Sequence, residues 1–306
     1  KMDMGQSLEI AIAQIVAEEL DVAVDKVQVY MGDSGTSCNQ GGASGSFGVS
    51  HGSRPLRNAA CEARRLLIDA AAMKLGVQAS TLRVDDGVVS TRDGSKRTSY
   101  AELIGGQHFG ETLEWNKIIG SDLSVKGRAK PKSPKDYRIV GKSGIRRRDV
   151  EGKILGTMDY LVDMKVEGMV HGRVIRPPVA GATPLSVDEA SIKDIPGVQI
   201  VRDKGFIGLV APREWDAIKA ARQLKVTWSD VKAPFPEQKD IYNHIRAGKS
   251  MKRDEEVKVN GDVDAAFASA ARIVEAEYEW PFHSHASMAP ACGVADMRAD
   301  GTAQLD

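Results

Sequence analysis

The stretch best suited to hold a ligand through its backbone is Gly41-Gly42-Ala43-Ser44-Gly45-Ser46-Phe47-Gly48. It carries little side-chain bulk, so its N–H groups can come within hydrogen-bond distance of an anion, with serine hydroxyls beside them. A helix start close behind it adds the favourable end of a peptide dipole. The glycines at 41, 42, 45 and 48 fit neither G-x-G-x-x-G nor G-x-x-x-x-G-K-S/T, and no Lys follows, which argues against a nucleotide P-loop. Composition alone also allows a plain surface connection.

Other residues with chemical potential are scattered. His283 and His285 form an H-x-H pair, and on a strand both would project to one face, as two metal ligands can. No third ligand stands near them, so structural or pocket-lining histidines are the simpler reading. Ser287 lacks a G-x-S-x-G elbow, and no carboxylate pair stands out as acid and base. Cys38, Cys61 and Cys292 are far apart without a CxxC pair, which argues against a zinc or iron–sulfur site in this chain. Their odd number excludes a full disulfide framework; Cys61 and Cys292 read as small buried apolar residues, and Met164, Met169 and Met288 as core.

The elements that must position these residues follow from periodicity. Apolar positions 8, 12, 15, 16 and 20 predict a helix over residues 8–20, with Ser7 as N-cap and Glu9 in the first turn. Residues 27–31 read as a short strand, and residues 55–75 as a long helix ending at Gly76. Asp86-Gly87 predicts a hairpin within residues 81–89. Residues 126–148 are basic and broken by Pro131 and Pro134, which reads as a solvated linker; a nucleic-acid arm lacks the aromatic platform it would need. Beyond it, strands at 170–175, 198–201, 206–210 and 224–228 and a helix at 212–221 suggest a βαβ-like mixed unit. A helix over 262–271 and an alternating strand over 273–280 lead into His283 and His285.

Length and composition bound the class. The 306 residues suit two domains, and 42% hydrophobic with 27% charged residues describes an ordinary globular protein. Lys+Arg and Asp+Glu balance at 42 each and aromatics are only 5%, so charge and stacking give no support to a nucleic-acid partner. No apolar run reaches the ~20 residues of a membrane span. Both ends read as lying inside a structural unit.

Taken together, the motifs resemble the molybdenum hydroxylases, the xanthine dehydrogenase and aldehyde oxidoreductase superfamily. Met4-Gly5-Gln6 ahead of Gln14, Ala17, Glu19 and Leu20 resembles that family's Gly-Gln motif and following helix. Met31-Gly32-Asp33, then Gly42-Ala43-Ser44-Gly45-Ser46, then Ala60-Cys61 look like it too. Gly152-Lys153, Gly156, Met169, Gly172-Arg173-Val174, Arg176-Pro177-Pro178 and Ile195-Pro196-Gly197-Val198 resemble its small hammerhead domain. Gly261-Asp262-Val263-Asp264, Ala266-Phe267 and then His283 and His285 resemble the start of its second cofactor-binding segment. Placing Gly5-Gln6 ahead of the hammerhead is similar to the family branch formed by the large subunits of isoquinoline 1-oxidoreductase and nicotinate dehydrogenase.

The resemblance implies an α+β chain of molybdenum-cofactor-binding segments with an inserted α/β hammerhead domain. Its parts are a first cofactor segment at 1–125, the basic linker at 126–148, the hammerhead at 149–230, and the start of a second cofactor segment at 231–306. It implies molybdopterin cytosine dinucleotide as cofactor, a small partner subunit carrying [2Fe-2S] clusters, and often a c-type cytochrome as acceptor. Gln6, beside Gly5, would hydrogen-bond the molybdenum oxo group or pterin edge, while Gly45, Ser46, Phe47 and Gly48 would hold pterin and pyrophosphate. The implied reaction hydroxylates an N-heteroaromatic compound or aldehyde with oxygen from water; the alternative is a non-catalytic scaffold or assembly protein that retains the fold. The family's catalytic Glu, in Gly-x-Gly-Glu, is absent from these residues and is expected outside them. His283, His285 and Met288 are the candidate substrate-pocket residues, and Met288-Ala289-Pro290 stands where purine oxidisers carry a glutamate, which favours an apolar ring or aldehyde. The branch resembled slightly favours a periplasmic over a cytoplasmic location.

Overall fold

A computed structural model describes residues 1–107, 110–233, 235–248, 260–281, 283–286, 288 and 291–305. The chain divides into two units, Lys1–Met158 and Asp159–Asp306. It is a mixed helix-and-sheet protein.

The first unit is built on two helices. Helix α1 (Leu8–Leu20) buries Leu8, Ile10, Ile12, Ala13 and Ala17. Its N-cap is not the Ser7 side chain. Ser7 sits at φ 68° with no capping bond, and Asp3 caps instead, taking the N–H of Gly5 at 2.8 Å and of Glu9 at 2.9 Å. After the short α2 (Phe47–Ser50), α3 (Ser53–Leu75) packs along α1. It ends at Gly76, whose left-handed φ of 63° lets its N–H turn back toward the Ala72 and Met73 carbonyls. Arg57–Glu19 at 2.7 Å and Arg64–Asp21 at 2.6 Å bridge α3 to α1.

A three-stranded antiparallel meander, β1 (Leu82–Asp85), β2 (Val88–Thr91) and β3 (Arg97–Ser99), closes one end of α3. The predicted Asp86-Gly87 turn is there, both residues with positive φ. Val84 pairs with Val89, and both pack on Ala71 with Ile68, Leu82, Tyr100 and Leu103 around them. Helix α4 (Tyr100–Ile104) starts on a capping box between Ser99 and Glu102, a pattern legible in the sequence but not drawn from it. The strand expected at 27–31 is absent; a 3-10 turn at Val24–Lys26 runs into irregular chain, whose Val27 carbonyl accepts from Arg148 rather than from a ladder. The unit ends with α5 (Val150–Leu155).

The basic stretch after residue 125 is not a solvated linker along its length. Three carboxylates of α1 and α3 fasten its backbone. Glu62 takes the N–H of Arg128 at 2.9 Å and of Ala129 at 2.8 Å. Glu19 takes that of Lys132 at 3.0 Å. Glu18 takes those of Arg138, Ile139 and Val140 at 3.0, 2.7 and 2.9 Å. All three carboxylates are buried, and that is tolerable only because each is fully bonded. Gly127 lets the strap come this close, since a Cβ there would lie 2.9 Å from Glu62 Oε2.

In the second unit, β4 (His171–Ile175), β5 (Pro184–Asp188), β6 (Gln199–Asp203) and β7 (Phe206–Ala211) precede α6 (Glu214–Gln223) and β8 (Lys225–Trp228). Strands order β4-β7-β6 in one sheet and β5-β8 in another, every pair antiparallel, so the βαβ expectation is corrected. Leu209, Ile192 and Ala220 centre the core between sheet and α6. Helices α7 (Ile241–Arg246) and α8 (Val263–Ser269) follow, then a hairpin of β9 (Ala295–Met297) and β10 (Ala303–Leu305) around Asp300-Gly301. The alternating run at 273–280 forms no strand. It is exposed irregular chain, with Glu277 and Glu279 paired to Arg246.

Candidate functional site

Two loops meet at the N-terminal ends of α1 and α2. Residues 1–7 enter α1, and the Gly/Ser loop enters α2. Leu8, in the first turn of α1, is buried against Gly48 of α2; a Cβ on Gly48 would lie 3.2 and 3.3 Å from the two Leu8 methyl carbons. Lys1 ties the loops together, its ammonium donating to the Gly42 carbonyl at 2.7 Å and to Ser121 Oγ at 3.3 Å.

The Gly/Ser loop is shaped by its glycines where φ is positive. Gly41 has φ 74°, and a Cβ there would meet Ser121 Oγ at 3.0 Å and Ser121 N at 3.1 Å. Gly45 has φ 62°, and Ser46 adopts the same left-handed region at φ 58°. Among the described residues, the N–H groups of Gly42 and Ala43 and the hydroxyls of Ser44 and Ser46 have no acceptor. Gly42, Ser44, Gly45, Ser46 and Phe47 are exposed. An exposed run of free donors on bulk-free backbone, beside the Lys1 ammonium, suits a polyanionic ligand. Gly48 stands apart, because its missing side chain is explained by packing on Leu8.

Gln6 is exposed and folded onto its own loop. Its Oε1 accepts from Met4 N at 2.6 Å and its Nε2 donates to the Met2 carbonyl at 2.9 Å. The amide keeps a second N–H and a second lone pair for another partner. Gly5, at φ 101°, takes a backbone conformation that side chains disfavour.

Cys61 lies on α3 behind the loops, buried, with its thiol donating to the Asn58 carbonyl at 3.2 Å and reaching the Ala129 carbonyl at 3.8 Å. Burial, and then the nearby Glu19 and Glu62 charges, push its pKa up, so it is a packing residue and a poor nucleophile. Cys292 is exposed, contrary to expectation.

In the second unit His283, His285 and Met288 are exposed on irregular backbone, so the strand geometry that would aim both histidines to one side is absent. Met288 is fully exposed and not core, and Met164 and Met169 are only partly buried. No group of three or more His, Cys, Asp or Glu is arranged to hold a metal among the described residues. Ser287, Ala289 and Pro290 lie outside the described residues.

The two loops were legible in the sequence, but not what secures them, namely Asp3, Lys1 and Arg147, nor the tie that Arg148 makes between the first turn of α1 and the chain after it. Arg148 donates to Glu9 at 2.8 Å and to the Val24 and Val27 carbonyls at 2.7 and 2.9 Å. Consecutive basic residues after a proline-rich stretch look like solvated charge, and nothing local betrays their partners far back in the chain.

Residues 1–141, which hold both loops, match the family model described as the molybdopterin cofactor-binding domain. That match and the relatives that follow are consistent with a member of the molybdenum hydroxylase family. It is 39% identical, over 97% of its length, to a nicotinate dehydrogenase subunit of Pseudomonas putida. Identity is 27% over 99% of its length to the beta chain of isoquinoline 1-oxidoreductase of Brevundimonas diminuta. It is also 27%, over the whole chain, to a membrane-bound aldehyde dehydrogenase of Gluconacetobacter polyoxogenes named for pyrroloquinoline quinone. The chain spans 24%, 43% and 39% of those three proteins, respectively.

Proposed function

We propose that this chain is part of the molybdopterin-binding subunit of an oxidoreductase that hydroxylates an N-heteroaromatic compound or an aldehyde. The observation that carries this reading is the convergence of the Gly5-Gln6 loop and the Gly/Ser loop at the Leu8–Gly48 contact, inside the segment matching the cofactor-binding domain. The named substrates and subunit status of the relatives support the substrate class and a multi-subunit assembly.

Bound molybdopterin supplies the two-electron chemistry that inserts water-derived oxygen into a C–H bond. This chain's residues bind and orient. Ser44 and Ser46 hydroxyls and the Gly42 and Ala43 N–H groups donate to phosphate oxygens, and Lys1 offsets part of their charge. Gln6 offers the free positions of its amide to the pterin edge or the metal's oxo group. The cytosine dinucleotide form, a small [2Fe-2S] subunit, a c-type cytochrome acceptor, the inserted hammerhead at 149–230 and a periplasmic location complete the proposal. His283, His285 and Met288 are its substrate-side candidates.

The direct test of the site is Gln6→Ala in the intact holoprotein. The reading requires lower turnover at unchanged molybdenum content and an unchanged unfolding midpoint. Wild-type turnover would remove Gln6 from the site.

A further inference from the structure

Gly5, the residue just before Gln6, is gripped at both polar ends of its backbone. Its N–H donates to Asp3 Oδ1 at 2.8 Å. Its carbonyl accepts from Arg147 Nη2 at 3.1 Å, across 142 positions of sequence. That carbonyl belongs to the Gly5–Gln6 peptide, so whatever holds it sets the plane from which the Gln6 side chain departs.

The arginine is itself held. Arg147 Nε and Nη2 meet the two Asp149 oxygens at 2.9 and 2.6 Å in a forked pair, and Lys153 meets Asp149 Oδ2 at 2.5 Å. Arg147, Asp149 and Lys153 are 35%, 26% and 26% exposed at their side chains, so the triad is half-sheltered against the loop. Lys153 Nζ lies 3.9 Å from where a Gly5 Cβ would sit, which places the triad's far end beside the same glycine. Hydrogen bonds from Arg147 and Lys153 hold the Asp149 carboxyl well below its usual range, so it stays ionised at neutral pH.

We propose that Arg147, locked by Asp149 and Lys153, is a positioning residue for Gln6, fixing the Gly5–Gln6 peptide so that the glutamine amide meets the cofactor in one orientation. The proposal rests on the reading of Gln6 as a cofactor contact. Arginine serves here better than lysine because one planar guanidinium forms the fork to Asp149 and still donates to a carbonyl; an ammonium has the charge without the fork.

The test uses Arg147→Ala, Arg147→Lys and Gln6→Ala in the intact holoprotein, read by amide exchange of residues 2–8 and by steady-state kinetics. In Arg147→Ala, exchange of residues 2–8 should rise about tenfold while the body of α1 keeps its protection. In the same variant kcat should fall about tenfold or more with KM little changed, because a misaimed contact costs turnover rather than binding. Arg147→Lys should restore part of both. Wild-type exchange and wild-type kcat in Arg147→Ala would overturn the proposal. Should that variant fail to fold, Asp149→Asn frees the guanidinium without removing it and must shift both readouts the same way, or the proposal falls. Full turnover in Gln6→Ala with fast loop exchange in Arg147→Ala would reject the cofactor reading of Gln6 and leave the clamp on Gly5 standing.

Discussion

Glu18 and Ile139 are 121 positions apart, and the Glu18 carboxylate takes the Ile139 N–H at 2.7 Å. The same carboxylate takes the N–H groups on either side, of Arg138 and Val140, at 3.0 and 2.9 Å. One buried side chain of α1 thereby caps a whole turn of the basic strap. Glu18→Ala leaves those donors unpaired inside the fold, and should cost about 3 kcal/mol. Urea unfolding of the 306-residue chain measures it; a loss within experimental error of zero would mean that the strap is held by other contacts.

Acid should release the strap. Burial pushes the Glu18 carboxyl up, but the Val140, Arg138 and Ile139 N–H groups and Lys132 outweigh it, and the net is a pKa below the ordinary glutamate value. Glu62 is likewise lowered, first by its bond to Arg65 and then, against burial, by the Ala129 and Arg128 N–H groups. A carboxylate depressed in the folded state binds fewer protons there than when unfolded. Its stabilisation is therefore present above the unfolded value of about 4.3 and disappears as pH falls through the folded value. Stability should be flat near neutrality and fall below about pH 5, and Glu18→Gln should flatten that slope. An unaltered slope in the variant would assign acid sensitivity to other carboxylates.

The contact that joins the two loops can be tested by size. Gly48→Ala places a methyl against Leu8 and should cost about 1 kcal/mol through overpacking. Leu8→Ala alone should cost about 2–5 kcal/mol as a buried cavity. The double variant should be less destabilised than the sum by at least about 0.5 kcal/mol, since the smaller side chain makes room for the larger. Strict additivity would mean that the two residues do not press on each other.

Thiol reactivity separates the cysteines. Cys38 and Cys292 are exposed and should react with a small disulfide reagent in the native protein, whereas Cys61 should react only after unfolding. Rapid modification of all three would contradict the burial of Cys61.

The long α3 with its Gly76 end, the Asp86-Gly87 hairpin and strands β4, β6, β7 and β8 of the second unit were legible, because their signals are local: apolar spacing, a glycine stop, a turn dipeptide. Strand β5, which was not legible, pairs with β8, its Asp188 opposite Lys225, 37 positions on. The run at 273–280 shows where local signals end. Its alternation permits a strand, but a strand exists only with a partner, and among the described residues none pairs with it. Ser7 failed as a cap because Asp3, outside the usual N-cap pattern, reaches the first-turn N–H of Glu9 once Gly5 turns the chain back. The candidate site was half visible. Glycines and serines declare a backbone cradle in sequence, whereas Arg147, Arg148 and the buried glutamates act on backbone atoms far away in the chain, and backbone partners leave no mark on residue type.

On the function proposed above, the two loops at the heads of α1 and α2 hold a molybdenum pterin dinucleotide. Metal analysis of the purified, fully matured holoprotein, followed by acid hydrolysis and identification of the released nucleotide, tests it most directly. Bound molybdenum and CMP are the expected result, with both reduced when Gly45→Val fills the cradle. A matured preparation with neither molybdenum nor CMP would contradict it.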